Sequence, residues 1–125
     1  MQSFAGKRAV ITGAGSGIGR ALAHALSSQG CHVILSDIDQ GSLETVRADL
    51  IKSSYHRDLT TKTFVANVSD YEQMKAFSFF VESEFGKVDL LINNAGTGLG
   101  AFFQDCSLKD MQELFDTNFW GVGYG

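Results

Sequence analysis

Short apolar runs alternate along this chain with longer segments of helical periodicity, and this alternation constrains the fold more than any other feature of the sequence. Such alternation is typical of strand–helix–strand units around a parallel sheet. The predicted strands are nearly continuous in apolar residues, as expected of strands that helices cover on both faces. They are residues 8–12, 32–36, 63–66 and 88–92.

Segments with apolar residues at helical spacing follow each of the first three strands. They are residues 18–28, residues 42–53 and a third helix that opens at Ser69 or Asp70 and ends at Gly86. A further helix is predicted from the capping-box pattern that begins at Ser107. With right-handed crossovers, these elements predict an α/β protein with a doubly wound parallel sheet (Rossmann fold) in strand order 3-2-1-4, forming one domain over residues 1–125.

Composition excludes several classes of protein. The 125 residues are 44% hydrophobic, enough for one core, and the net charge of −4 argues against a nucleic-acid or anionic-membrane partner. Cys31 and Cys106 are far apart and the three histidines share no ligand spacing, so we expect neither a disulfide framework nor a metal site. The first apolar run is too short for a signal peptide or membrane span, which favours a cytoplasmic protein.

A glycine-rich run, Thr12-Gly-Ala-Gly-Ser-Gly-Ile-Gly19, joins the first predicted strand to the first predicted helix. Glycines permit a tight turn and close approach to a pyrophosphate, while the helix N-terminus offers free N–H groups. Such a run by itself is as often an ordinary strand-to-helix connection. Because Ile18 stands where G-x-G-x-x-G needs its third glycine, and no Gly-Lys precedes a Ser or Thr, the run matches neither that fingerprint nor a Walker A loop.

Asp37 ends the second predicted strand, where a carboxylate would accept hydrogen bonds from an adenosine ribose. Its charge would repel a 2′-phosphate, and Ile38 rather than a basic residue follows it, so NAD is favoured over NADP. Two alternatives are that Asp37 is an exposed loop residue or the N-cap of the next helix.

The T-G-x-x-x-G-x-G spacing of this turn, together with Asn93-Asn94-Ala95-Gly96 after the fourth strand, resembles the short-chain dehydrogenase/reductase family along essentially the whole chain. The resemblance implies hydride transfer between NAD(H) and a small secondary alcohol or ketone, in a protein that is a homo-oligomer at full length. It also implies a set of cofactor-binding residues: Thr12, Gly13, Ser16, Gly17, Ile18, Gly19, Asp37, Ile38, Asn67, Val68, Asn94, Ala95 and Gly96.

Three of the positions that the resemblance implies, two for the cofactor and one for catalysis, have alternative interpretations. Asn67-Val68 stands where the family commonly has Asp-Val, whose acidic side chain contacts the adenine amino group, and an asparagine oxygen can still accept there. Asn67 could equally be a turn residue that leads into the cap of the next helix at Ser69 or Asp70. Asn93 and Asn94 could equally have the purely structural role of bridging neighbouring strands with their side-chain amides. Asn118 corresponds to the family's proton-relay asparagine, the one catalytic position implied here, although a lone helical asparagine is more often a solvated residue.

The family's catalytic serine and Tyr-x-x-x-Lys have no counterpart after Gly96. The one Tyr-x-x-x-Lys, Tyr71 to Lys75, precedes the fourth strand, and we interpret it as one turn of an amphipathic surface helix. The resemblance therefore implies that residues 1–125 are the N-terminal, cofactor-binding half of a longer enzyme, a domain incomplete at its C-terminus. We expect this chain to hold NAD without oxidising a substrate, and residues 88–92 to form an unprotected apolar sheet edge. A non-catalytic NAD-binding module and an inactive remnant remain alternatives.

Overall fold

A computed structural model of the chain describes residues 5–15, 17–53, 59–67, 70–93 and 102–106. Strands and helices alternate as predicted, in the order β1 (Arg8–Thr12), α1 (Gly17–Ser28), β2 (His32–Asp37), α2 (Gln40–Ser53), β3 (Thr61–Val65), α3 (Tyr71–Phe85), β4 (Val88–Asn93) and β5 (Phe102–Cys106). The predicted helix that begins at Ser107 lies outside the described residues.

The sheet has the order β3-β2-β1-β4-β5, and its first four strands are parallel. The predicted order 3-2-1-4 is therefore confirmed. Thr12, the last residue of β1, lies opposite Ser36 of β2 and Asn93 of β4. This register brings the carboxyl ends of three strands to one edge of the sheet, where ligands bind in open α/β folds.

The prediction that residues 88–92 form an unpaired edge is wrong. β5 pairs antiparallel with β4, with Cys106 opposite Val88 and Phe102 opposite Ile92. Only eight residues, 94–101, separate the two strands, whereas a crossover to a parallel strand needs about a dozen or more. A short connection therefore favours reversal of the chain. The antiparallel pairing with β5 provides hydrogen-bond partners for backbone groups of β4 on the side that faces away from β1.

β3 begins two residues earlier than predicted, because its first residues are polar and an exposed edge strand does not need an apolar run. Thr61 and Lys62 lie opposite Val33 and Ile34 of β2 in a regular parallel register. Among the described strands, β3 has β2 as its only neighbour in the sheet, so its side chains are partly or fully exposed and tolerate polar residues.

Two hydrophobic layers enclose the sheet. Ile11, Val33 and Leu35 point to the layer that includes residues of α1 and α2, whereas Val10 and Ile34 point to the layer that includes residues of α3. Successive strand residues alternate between the layers, and both layers are buried, which accounts for the continuous apolar runs. No helix among the described residues has the length and apolar character to cross a bilayer.

Candidate nucleotide-binding site

The glycine-rich turn lies at the carboxyl end of β1 and leads directly into α1. The N–H of Ala14 donates to the carbonyl oxygen of Ser36 at 3.0 Å, which extends the pairing of β1 with β2 by two residues beyond Thr12. Ala14 is fully buried. The first turn of α1 carries no acidic side chain, so the positive end of the helix dipole is not neutralised from within the helix.

The glycines of this turn have two different functions. Gly13 and Gly17 have φ angles of 63° and 60°, in the left-handed region that favours glycine. Gly19 is required for a steric reason instead, because a Cβ atom at this position would lie 2.1 Å from the carbonyl oxygen of Gly13. The first turn of α1 therefore packs directly on the backbone of the glycine-rich turn.

Gly15 connects the turn to β2. Its N–H donates to Oδ2 of Asp37 at 2.9 Å. A Cβ atom at Gly15 would lie 2.9 Å from that same oxygen and 2.8 Å from Cβ of Ser42. The missing side chain thus allows the backbone to approach the carboxylate closely enough for this hydrogen bond.

The carboxylate of Asp37 is held at both oxygens. Besides the bond to Gly15, Oδ1 accepts the N–H of Asp39 at 3.1 Å. A carboxylate offers about four lone-pair positions, so two of them remain for a ligand. Asp37 is half-buried at the end of β2, which keeps one side of the group open.

Asp39, not Asp37, caps α2. Its Oδ1 accepts the N–H of Ser42 at 3.2 Å, and its carbonyl oxygen accepts the N–H of Leu43. Hydrogen bonds from the backbone and the hydroxyl of Ser42 hold the pKa of Asp39 below its ordinary value. The alternative in which Asp37 is the N-cap is therefore excluded, and the carboxylate of Asp37 is left for the turn.

The segment after β3 is hydrogen-bonded to both β2 and α3. Ala66 donates its N–H to the carbonyl oxygen of Asp37 at 3.0 Å. Asn67 accepts the N–H of Asp70 at 2.9 Å and donates its own N–H to Oε1 of Gln73 at 2.8 Å. Asp37 and Asn67, predicted to contact the ribose and the adenine, are thus linked through a single residue.

Among the described residues, three aliphatic side chains are exposed at this end of the sheet. Ile18 lies in the first turn of α1 and is 59% exposed, Ile38 follows β2 and is 65% exposed, and Val65 ends β3 and is 45% exposed. Such side chains around a polar centre are typical of a site for a ligand with flat apolar rings.

Several predicted site residues lie outside the described residues. They are Ser16, Val68, Asn94, Ala95, Gly96 and Asn118. Asn93, which opens the Asn-Asn-Ala-Gly motif, ends β4 opposite Thr12. Tyr71 and Lys75 are exposed in the first two turns of α3, as expected of a surface helix. No group of three or more His, Cys, Asp or Glu side chains within the described segments is placed to hold a metal ion.

Sequence reasoning missed Gly15, Ser42 and Gln73. Gly15 occupies one of the unspecified positions of T-G-x-x-x-G-x-G, so the motif gives it no weight. The contact with Ser42 depends on how α2 packs and has no local signal. For Gln73 a signal exists, because Asp70 and Gln73 have the spacing of a capping box.

A glycine-rich turn between β1 and α1, bonded to a carboxylate at the end of β2, is the arrangement that defines dinucleotide-binding α/β proteins. The family model described as short chain dehydrogenase matches residues 7–124. The chain therefore belongs to the short-chain dehydrogenase family.

Individual relatives agree with this assignment. The chain is 38% identical over all 125 residues to the oxidoreductase SadH of Mycobacterium tuberculosis, and spans 44% of that protein. A short-chain dehydrogenase/reductase from Burkholderia phymatum, solved in complex with NAD, is 38% identical with a TM-score of 0.65, over 73% of this chain and 31% of that one. NAD⁺-bound xylitol dehydrogenase is 30% identical with a TM-score of 0.65, over 72% and 33% of the two chains.

Proposed function

We propose that this chain binds NAD(H) at the carboxyl ends of β1, β2 and β3. In this proposal the glycine-rich turn receives the pyrophosphate, Asp37 receives the adenosine ribose, and Ile38 and Asn67 lie beside the adenine. The observation that carries the proposal is the hydrogen bond from the N–H of Gly15 to Oδ2 of Asp37. It joins a phosphate-binding turn and a ribose acceptor into one preformed surface.

The ribose contact follows from the acceptors that Asp37 still offers. Two backbone N–H groups occupy one position on each carboxylate oxygen, and one further position on each can accept a ribose hydroxyl. Hydrogen bonds to a charged acceptor are among the stronger ones, and this acceptor is already oriented. Binding therefore requires little rearrangement of Asp37.

Charge favours NAD over NADP. Residues 12–19 and 36–42 contain no Lys or Arg and contribute two carboxylates, Asp37 and Asp39. A 2′-phosphate placed at Asp37 would meet negative charge without a basic partner. Arg20, which follows the turn, extends instead to Asp49 at 3.4 Å. The NAD complexes of the Burkholderia protein and of xylitol dehydrogenase support the same cofactor.

The pyrophosphate contact depends on the helix end. α1 begins at Gly17, within the turn, and its first N–H groups have no partner within the helix. The positive φ at Gly13 and Gly17 gives the turn its shape, and the helix dipole favours a negative group there.

For the whole protein we propose hydride transfer between NAD(H) and a small secondary alcohol or ketone. The family and the name of xylitol dehydrogenase, whose substrate is an alcohol, support this class. Bound NAD supplies the hydride acceptor. We propose that Asn118 belongs to the proton relay, and that these 125 residues alone do not turn over substrate because their one Tyr-x-x-x-Lys, Tyr71 to Lys75, lies before β4.

The proposal is tested by titrating the 125-residue chain into NADH and following the fluorescence of the reduced nicotinamide. We expect saturable binding that ADP-ribose displaces, since every contact proposed above is to the ADP-ribose half. The same preparation mixed with NAD and secondary alcohols should give no absorbance of NADH. Absence of NADH binding by folded protein would refute the proposed function, and steady NADH formation would refute the proposed lack of turnover.

A further inference from the structure

We propose that Gln73 is a positioning residue that fixes Asn67 against the adenine and thereby lets the site distinguish adenine from hypoxanthine. The inference rests on the proposed function, because it concerns the adenine end of the same site. Gln73 would not touch the nucleotide. It would act through the backbone of Asn67, to which it is bonded.

Gln73 makes three hydrogen bonds around the start of α3. Its Oε1 accepts the N–H of Asn67 at 2.8 Å, and its Nε2 donates to Oδ2 of Asp70 at 3.0 Å. Its own N–H donates to Oδ1 of Asp70 at 3.1 Å. The amide can satisfy these partners in one orientation only, because Asn67 presents a donor and Asp70 an acceptor.

These bonds go beyond ordinary helix capping. In a capping box the third helical residue returns to the N–H of the cap residue itself. Here Gln73 reaches three residues further back, to Asn67, while the N–H of Asp70 is bonded to the carbonyl oxygen of Asn67 at 2.9 Å. Both backbone polar groups of Asn67 are therefore held by residues at the start of α3.

The position of Asn67 is set from its other side by β2, because Ala66 donates to the carbonyl oxygen of Asp37. Asn67 is consequently held between the strand that carries the ribose carboxylate and the helix that carries Gln73. Loss of the Gln73 contact would remove the acceptor that Gln73 provides for the N–H of Asn67, while the bond from Asp70 to the carbonyl oxygen of Asn67 would remain. Its side-chain oxygen would then be less well placed to accept the adenine 6-amino group, which hypoxanthine lacks.

The chemistry of the pair permits a sharp exchange experiment. Gln73→Glu keeps an acceptor for Asn67 but places a second carboxylate against Asp70. Asp70 then loses the hydrogen bond that Nε2 of Gln73 donates to its Oδ2. In the double variant Asp70→Asn and Gln73→Glu, the amide of residue 70 donates to the carboxylate of residue 73, while all other bonds keep their polarity and the net charge returns to that of the wild type. Gln73→Met removes both side-chain bonds at similar length.

The readout is the ratio of dissociation constants for reduced nicotinamide hypoxanthine dinucleotide and NADH, measured by fluorescence with the 125-residue chain. We expect the wild type to prefer NADH about five-fold, the order of one hydrogen bond. In Gln73→Met and Gln73→Glu the preference should fall below about two-fold, and in the double variant it should return to the wild-type value. Gln29→Met, an exposed residue after α1 at the opposite end of the sheet, should leave it unchanged.

Each other outcome overturns the inference in a distinguishable way. An unchanged ratio in both single variants would show that Gln73 has no positioning role, with NAD binding intact. Equal binding of both dinucleotides by the wild type would show that the amide of Asn67 is not held with its oxygen toward the base, and would overturn the inference. Failure of the wild type to bind either would remove the proposed function itself. A general loss of stability in the variants would weaken the binding of both dinucleotides equally. The ratio of their dissociation constants would then stay near five, which would contradict the inference.

Discussion

The backbone N–H of Gly15 donates to Oδ2 of Asp37 at 2.9 Å, although 22 residues separate them in the chain. The bond connects the turn after β1 to the end of β2, so that one carboxylate both shapes the glycine-rich turn and, in the proposed function, receives the ribose. Any substitution that tests ligand binding at Asp37 therefore also tests the turn. The two effects can be separated because stability and affinity are measured independently.

Asp37→Asn should lower both stability and NADH affinity. An amide has one acceptor oxygen, so either Gly15 or Asp39 loses its acceptor and faces an N–H₂ group instead. We expect the free energy of unfolding to fall by about 1–2 kcal/mol. Chemical denaturation measures this change, and a variant as stable as the wild type would show that the carboxylate does not hold the turn.

Gly15→Ala should destabilise the chain by about 1–3 kcal/mol, because the new methyl group would overlap the Asp37 carboxylate and Ser42. Gly41→Ala is the matched control. A Cβ there meets only Oδ1 of Asp39 at 3.4 Å, and Gly41 lies in α2, so alanine should stabilise by up to about 1 kcal/mol. Equal and small effects of the two substitutions would contradict the packing described at the turn.

Gly17 should tolerate asparagine better than valine. A Cβ at this position meets no atom within 4 Å, so the cost comes from its φ of 60° alone. Asparagine adopts this region far more readily than a β-branched residue. Thermal unfolding of the two variants measures the difference, and a valine variant as stable as the asparagine variant would show that the backbone is not held at positive φ.

Much of this fold could be predicted from the sequence, because helices cover both faces of the central strands and leave unmistakable apolar runs. β1 was predicted to the residue, and the capping of α3 by Asp70 and Gly86 was visible in their residue types. The pairing of β5 with β4 could not be predicted from the sequence, because it depends on which later segment reaches the open edge of β4. The polar residues at the start of β3 could not be recognised as part of a strand either, because an exposed edge strand lacks the apolar run that marks the central strands.

The geometry of the candidate site could be predicted less completely than the fold. Asp37 and the glycines are recognisable by spacing, but the bond between Gly15 and Asp37 joins residues on different strand–helix units and follows only from the strand register. The steric roles of Gly15 and Gly19 also differ from the conformational role of Gly17. A motif that lists glycines cannot distinguish those two reasons.

Cys31 should be unreactive in the native chain. Burial, with the negative charge of Asp89 as a lesser cause, raises the pKa of its thiol from the ordinary 9.0 to about 11. At pH 8 the thiolate would be about one part in a thousand. In a Cys106→Ser background, an aromatic disulfide reagent should modify Cys31 only at the rate of unfolding, and rapid modification of the folded protein would contradict its burial.

The same raised pKa has a consequence for stability. The folded state disfavours the thiolate, so the contribution of Cys31 is complete below pH 9 and is lost as the pH rises to about 11. The difference in unfolding free energy between Cys106→Ser and a variant that also carries Cys31→Ala should shrink across that interval. A difference that stays constant from pH 8 to pH 11 would show that the pKa is not raised.

The most direct test of the proposed cofactor is a comparison of NADH and NADPH binding to the wild-type chain at one ionic strength. The account predicts that NADH binds at least ten-fold more tightly, on the order of 1.4 kcal/mol, because a 2′-phosphate would face the Asp37 carboxylate without a basic partner. In Asp37→Asn this preference should diminish. Tighter binding of NADPH by the wild type would contradict the role assigned to Asp37.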